Sequence, residues 1–360
     1  MIKHLALTNF RNYEKYAIDF SDINIFIGPN GVGKTNIIEA IWMLADGRSW
    51  RTKSDLEVIA WDKDFAKIYG KNGDKDIELI LQKTLTEKAP PKQLKINGTK
   101  HRLIDLLGEM PAILFSPEEI QMVAGAPNLR RRFLDIMLAQ VNRKYTLALL
   151  DYTRVLKGRN KLLSMIKHGR GKPDELDFWD EKLAVTGKFL IKKRKEVIGI
   201  FNRDFSRTYQ EISGGKESLK LIYKATVDEE KFEEFLVANR ENEIEQEITA
   251  HGPHRDDFLI QLDNRNLATC GSRGEERSVV LALKILELEY LKGETRPLTP
   301  ERSDGGREPI LLLDDIFSEL DSDRRLHLAK IVGNQQTIIT TTDLDHIERG
   351  LRDRAKIVEL

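Results

Sequence analysis

The residues best suited to chemistry stand near the start of the chain, in the run Gly28-Pro29-Asn30-Gly31-Val32-Gly33-Lys34-Thr35. Their spacing is G-x-x-x-x-G-K-[ST], that of a loop that cradles phosphates. Glycines let backbone amides turn inward and come close to phosphate oxygens. The Lys34 ammonium reaches the β- and γ-phosphates, and the Thr35 hydroxyl suits Mg²⁺. Asn30, Gly31, Gly33 and Asn36 complete the expected nucleotide contacts. The loop follows a β-rich run at 23–27 and opens a helix at 36–44. That helix aims its positive end at the phosphates. A glycine turn with a stray lysine is the bland alternative, and it does not require that strand-to-helix setting.

A second chemical signal lies far along the chain, in Ile310-Leu311-Leu312-Leu313-Asp314-Asp315. It is an apolar strand ending in two acids. Beside a phosphate loop, such an acid holds Mg²⁺, which assigns that role to Asp314. Asp315 stands where a general base would polarise the attacking water. Lys34, Asp314 and Asp315 are thus the catalytic candidates, with Thr35 and Asp314 as the metal pair. The competing reading is a strand followed by an acidic helix cap. The wide gap between loop and acids implies a large insertion, with the nucleotide-binding domain assembled from both ends of the chain.

The elements that must position these groups are partly visible. Residues 61–106 alternate in short segments broken by Asn72-Gly73-Asp74 and Asn97-Gly98, which predicts antiparallel hairpins. The middle changes character. Phe133, Ile136, Met137, Val141, Tyr145, Leu149, Tyr152 and Leu156 recur at helical spacing, and so do Trp179, Leu183, Phe189, Leu190, Val197, Phe201, Phe205 and Tyr209. A turn at 168–173 separates them. Two long antiparallel helices follow, either as a protruding arm or as an ordinary helical subdomain. Residues 279–291 read as a helix, 296–307 as an exposed loop, 310–313 as a buried parallel strand and 337–342 as another strand.

Composition sets outer limits. The 360 residues allow two or three domains, and 40% are apolar, enough for a substantial core. Net charge is zero, with 58 Lys or Arg against 58 Asp or Glu. The balance hides asymmetry: residues 140–215 hold 17 basic against 9 acidic side chains, and residues 228–257 hold 3 against 11. Cys270 is the single cysteine, so no intrachain disulfide or cysteine-rich metal site exists and a cytoplasmic setting is expected. The first eleven residues are too short and polar for a signal peptide. No stretch approaches the roughly 20 apolar residues of a membrane span, which excludes a membrane-embedded transporter.

Six further motifs carry a family resemblance. Ser272-x-Gly274-Glu275 before a helix resembles the signature of ABC-type ATPases, and Ser318-Glu319-Leu320-Asp321 resembles their D-loop. Leu7-Thr8-Asn9-Phe10-Arg11-Asn12-Tyr13, Phe115-Ser116-Pro117-Glu118-Glu119, Arg130-Arg131-Arg132-Phe133-Leu134-Asp135 and His251-Gly252-Pro253-His254-Arg255-Asp256-Asp257 are similar to the RecF family within the SMC and ABC-type ATPases. The likeness runs from residue 1 to about 345. It implies an α/β fold: an ABC-type head at 1–118 and 249–360, with a mixed sheet, flanking helices and an antiparallel β subdomain. A mainly helical arm fills 119–248.

The resemblance also implies a cytosolic ATPase of recombinational repair. It would bind double-stranded DNA at single-strand gap junctions, dimerise on ATP, and work with RecR, RecO and RecA. Two ATP molecules would lie between two copies, each touching Lys34 and Thr35 of one chain and Ser272 and Gly274 of the other. ABC-type proteins usually carry Glu where Asp315 stands, so slow hydrolysis is expected. Gln121 is the candidate for the glutamine loop, and Thr341 and Thr342 occupy the place of the switch histidine. Duplex DNA is expected across the ATP-closed dimer near the base of the helical arm, on the basic excess over 140–215, with Arg130, Arg131, Arg132 and the run Lys192-Lys193-Arg194-Lys195 as phosphate contacts. The role of His254 and Arg255 stays open between DNA, nucleotide and turn. A soluble ABC subunit driving another machine is the runner-up, and a non-hydrolysing scaffold the third reading.

Overall fold

The alternation at the start of the chain becomes a strand. In the computed structural model, which describes residues 1–83, 91–295 and 308–360, β1 (Ile2–Phe10) pairs antiparallel with β2 (Tyr13–Asp19). β3 (Ile23–Ile27) and the helix α1 (Lys34–Asp46) come next. β4 (Phe65–Asn72) then pairs with the other edge of β1, and β5 (Lys75–Gln82), β6 (Lys92–Ile96) and β7 (Thr99–His101) extend a six-stranded sheet. Its hairpins turn where the sequence predicts. Gly73, Asn97 and Gly98 all have positive φ, the conformation tight hairpin turns require. β8 (Ala112–Phe115) follows.

The chain divides into two units, Met1–Glu119 with Val280–Leu360, and Ile120–Val279. The second junction therefore falls at 279/280. The sequence reading put it at 248/249, so residues 249–279, Ser272 and Gly274 among them, move out of the expected head. Nothing in the local sequence marks this junction, because it lies inside a continuous helix.

The second unit runs α2 (Gln121–Ala124), α3 (Pro127–Val141), α4 (Arg143–Lys167), α5 (Leu176–Ser213), β9 (Leu219–Lys224), α6 (Phe232–Ala238), α7 (Arg240–Gln246), β10 (Asp257–Leu262), β11 (Arg265–Asn266), α8 (Leu267–Cys270) and the start of α9 (Arg273–Thr295). The periodic run 133–156 is two helices rather than one. Asn142 breaks it and caps α4 by accepting from the Tyr145 amide. α4 and α5 form the expected antiparallel pair, but α6, α7 and an antiparallel sheet ordered β11-β10-β9 pack around it. The unit is thus less purely helical than its periodicity suggests.

The return of the chain builds a second sheet in the first unit. β12 (Ile310–Asp314), β13 (Thr337–Thr341) and β14 (Lys356–Glu359) join β3 and β8 in the all-parallel order β14-β3-β13-β12-β8. α1 packs against strands of both sheets. Ten of its thirteen residues are buried, so it reads as apolar nearly all round. Gly70 of β4 lets it close in, since a Cβ there would meet Leu44 Cδ1 at 2.5 Å. The loop expected at 296–307 lies outside the described residues.

The second unit buries charge. Arg159 is 0% exposed and meets Asp180 at 2.6 Å, Glu243 at 2.7 Å and the Thr249 hydroxyl at 2.8 Å. Removing one partner of such a cluster strands the others in low dielectric. Arg159→Met should therefore destabilise the protein by about 3–5 kcal/mol. Urea unfolding followed by circular dichroism measures this, and an unchanged midpoint would show that water reaches the cluster.

Candidate functional site

Gly31 and Gly33 adopt φ of 84° and 119°, conformations open to glycine and costly for other residues. They curl the loop so that Gly33 caps α1. Lys34 folds back over the loop, its Nζ donating to Gly28 O at 2.7 Å and Pro29 O at 2.9 Å. Burial lowers its pKa, while the charges of Asp315 and Asp314 oppose that shift. Asn30 and Gly31 are exposed at the crown. The Asn36 side chain is engaged elsewhere, donating to Asn12 Oδ1 and accepting from Arg51.

Asp314 ends β12 beside this loop and is 6% exposed. Its Oδ1 accepts from the Thr35 hydroxyl at 2.8 Å and from the Thr340 hydroxyl at 2.8 Å. Burial raises its pKa. The two hydroxyls, and the nearby charge of Arg51, pull it back. Asp315 takes the left-handed conformation, φ 50° and ψ 24°, rare for a residue with a side chain. Thr340 fixes this turn by accepting from the Asp315 amide through both its carbonyl and its hydroxyl. Asp315 Oδ1 is buried with no hydrogen-bond partner.

Sequence reasoning missed the ring of residues that holds the loop from below. Glu39, on α1, is 0% exposed. It accepts from Arg11 through Nε at 2.8 Å and Nη2 at 2.5 Å, from Ser49 Oγ at 2.6 Å, and from Arg51 Nη1 at 3.2 Å. Asn12 Nδ2 donates to Val32 O in the loop itself. A Cβ on Gly33 would lie 2.6 Å from Tyr13 Oη and 2.7 Å from Asn12 Nδ2. The signal was present: a glutamate inside an apolar helix must be paired, and Arg11-Asn12-Tyr13 already stood out as a motif.

Ser272, Gly274 and Gln121 lie in the second unit, and Thr341 in the first. Ser272 caps α9. Its amide donates to Glu275 Oε2 at 2.7 Å, and its hydroxyl accepts from the Glu275 amide at 3.3 Å, a reciprocal capping box. Those bonds hold Glu275 below the usual carboxylate range. Gly274 sits in the first turn of the same helix, where amide dipoles favour an anion. Gln121 opens α2 and is exposed, and Thr341 donates to Asp343 O.

The Gly252-Pro253-His254-Arg255 turn is structural at His254. Its Nε2 donates to Thr249 O at 3.0 Å, and its Nδ1 lies 2.7 Å from the Tyr152 hydroxyl, which donates to it in the neutral ring that burial favours. Arg255 is exposed.

Two of the expected phosphate contacts, Arg194 and Arg130, are corrected. Arg194 is 2% exposed and clamps Asp135 and Pro253 O. Lys193 pairs with Glu196 and Lys195 with Glu229. Arg130 grips Asp257, and Arg131 donates to Asp256 O. Within those two runs only Lys192 and Arg132 stand exposed without such a bond shown. Across 140–215 most of the basic side chains stay exposed, while Arg159 and Arg194 are buried in ion pairs.

Two measurements probe this geometry. Gly33→Ala meets both a forbidding φ and Tyr13, so nucleotide affinity should fall about 100-fold or more. Fluorescent-nucleotide titration reads it, and wild-type affinity would refute the tight packing. Burial pushes His254 down to about 4 from its ordinary value of 6.5. The unfolded chain then binds the extra proton first. Stability from neutral His254 is present above about pH 6.5 and is lost as pH falls toward 4. The drop in thermal midpoint between about pH 7 and pH 5 should shrink in His254→Asn. An equal drop in both proteins would place the titration elsewhere.

The family described as RecF/RecN/SMC N terminal domain matches residues 1–358. The DNA replication and repair protein RecF of Clostridium tetani (strain Massachusetts / E88) is 36% identical over 373 aligned positions, spanning 100% of this chain and 97% of that protein. The protein of the same description from Moorella thermoacetica (strain ATCC 39073 / JCM 9320) is 38% identical, spanning 100% of this chain and 94% of its own length. A structure of the recombination mediator protein RecF-ATP in the RecFOR pathway superimposes with a TM-score of 0.86 at 32% identity, covering 96% of this chain and 93% of that one.

Proposed function

The chain belongs to the RecF/RecN/SMC family as a RecF-type ATPase of DNA replication and repair, and we propose that two copies of it close around two ATP molecules to clamp DNA. The observation that carries the nucleotide site is the Thr35–Asp314 hydrogen bond, which joins the phosphate loop to the acidic strand. The RecF-ATP structure it resembles supports ATP as the nucleotide.

The residues fit Mg²⁺. One hydroxyl and one carboxylate meet beside the loop, and no group of three or more His, Cys, Asp or Glu forms a metal cage among the described residues. That is the pattern expected when phosphate and water oxygens complete the shell. Thr35 and Asp314 would hold the ion, which neutralises charge building on the phosphates. Lys34 leaves its loop carbonyls for the phosphate oxygens. The free Oδ1 of Asp315 orients the attacking water and takes its proton. Because Asp is one methylene shorter than Glu, turnover is slow.

Ser272 and Gly274 of one copy complete the site of the other, and loss of the γ-phosphate removes the contact that joins them. The RecFOR pathway of the similar structure supports RecR and RecO as partners, and the family resemblance of the sequence motifs extends the proposal to RecA loading at single-strand gaps on double-stranded DNA. No described helix is long and apolar enough to cross a membrane, and we place the protein in the cytoplasm.

Sedimentation with and without ATP–Mg²⁺ tests the clamp. Wild type should shift from monomer to dimer on ATP, and Lys34→Ala should stay monomeric. A wild type indifferent to ATP, with and without duplex DNA, would overturn the two-copy reading.

A further inference from the structure

One arginine links the opening of the second unit to the strand that leads to Ser272. α2 directly follows the turn after β8, and its last carbonyls lack helical partners. Three carbonyls there accept from a single nitrogen, Arg130 Nη1: Met122 O at 3.2 Å, Val123 O at 3.3 Å and Gly125 O at 2.8 Å. The other edge of the same guanidinium grips Asp257, Nε to Oδ1 at 2.7 Å and Nη2 to Oδ2 at 2.9 Å. Arg130 is 6% exposed.

Asp257 is the first residue of β10. From β10 the chain passes through β11 and α8 to Ser272, and α8 packs on both α2 and β10. The neighbouring acid is held as firmly. Asp256 accepts from the Thr226 amide and hydroxyl and from the Tyr223 hydroxyl, and its carbonyl accepts from Arg131. Upstream, β8 lies beside β12 in register, with Phe115 opposite Leu313, one residue before Asp314. From β8 the chain runs through residues 117–120 into α2, whose end Arg130 holds.

We propose that Arg130 is a positioning residue for the signature loop: by tying the end of α2 to β10 it sets where Ser272 and Gly274 stand. It thereby controls the ATP-driven association of two copies without touching nucleotide. This rests on the two-copy reading above. Only a planar fork with donors on two edges serves both α2 and Asp257, so lysine keeps the charge but loses the geometry.

Hydrogen–deuterium exchange of the full chain without nucleotide tests the positioning directly, comparing wild type, Arg130→Gln, Arg130→Lys and Asp257→Asn. In Arg130→Gln, amides of residues 263–276 should exchange about tenfold faster or more, while those of residues 26–40 and of α4 and α5 keep their rates. Asp257→Asn should reproduce the effect more weakly, and it replaces Arg130→Gln should that variant not fold. Arg130→Lys should restore part of the protection. ATP affinity of the monomer should stay within about twofold, and ATP-dependent self-association should weaken about tenfold or more. Unchanged exchange at 263–276, or loosening spread evenly through the unit, would overturn the inference. Local loosening together with a wild type that never associates on ATP would sink the two-copy reading and leave the positioning role standing.

Discussion

A single hydrogen bond between residues 279 positions apart, Thr35 to Asp314, is the constraint on which the rest depends. It exists only if both ends of the chain enter one sheet in one register. The parallel pairing supplies that register. Ile27, which feeds the loop, lies opposite Thr341, and Thr340 lies opposite Asp314. The carboxyl ends of β3, β13 and β12 therefore emerge together, the edge where parallel sheets place their ligands. The whole second unit is inserted between β8 and β12, strands that neighbour each other in the sheet. The strands are parallel, so the chain leaves the sheet at Phe115 on the carboxyl edge and re-enters at Ile310 on the amino edge, and loop-closure cost grows only slowly with the length between them.

Holding the loop rigid needs more than the sheet. α1 is buried almost throughout, and a buried helix carrying a carboxylate requires compensation. Glu39 receives it from Arg11, Ser49 and Arg51, so the buried charge is met by hydrogen bonds on both oxygens. The same arginine that satisfies Glu39 also bonds Asn36 and acts on Asp314. The β1–β2 turn, α1 and the catalytic acid are thereby electrostatically coupled, and the loop is preorganised before any nucleotide arrives.

The loop, the acidic strand and the hairpin turns were legible because each rests on local chemistry. Glycine at positive φ, a continuous apolar run ending in acids, and Asn-Gly pairs announce themselves over a few residues. The unit boundary at 279/280 was not legible, because α9 runs through it without a break in periodicity. The strands β9 and β10 were hidden for a different reason. Leu219, Leu221, Phe258, Ile260 and Leu262 do alternate, yet both strands sit among charged stretches that obscure the pattern. Ser272 was read as a signature, and its capping bonds to Glu275 follow from the same letters.

Charge counting picked out two arginines, Arg130 and Arg194, that are buried rather than free for phosphates, and the reason is general. A net excess of basic residues in a segment says nothing about which of them meet water. Arg159, Arg194 and Arg130 are each at most 6% exposed, and each faces a carboxylate contributed from elsewhere in its unit. Such arginines are held by the desolvation cost of breaking them, since a lone buried carboxylate is worse than a buried pair. The acidic stretch supplies Glu243 and Glu229 to this basic one, and Asp257 to Arg130 before it. The two charge biases therefore read as halves of one folded unit, and a surface for phosphates must be drawn from side chains left outside these pairs.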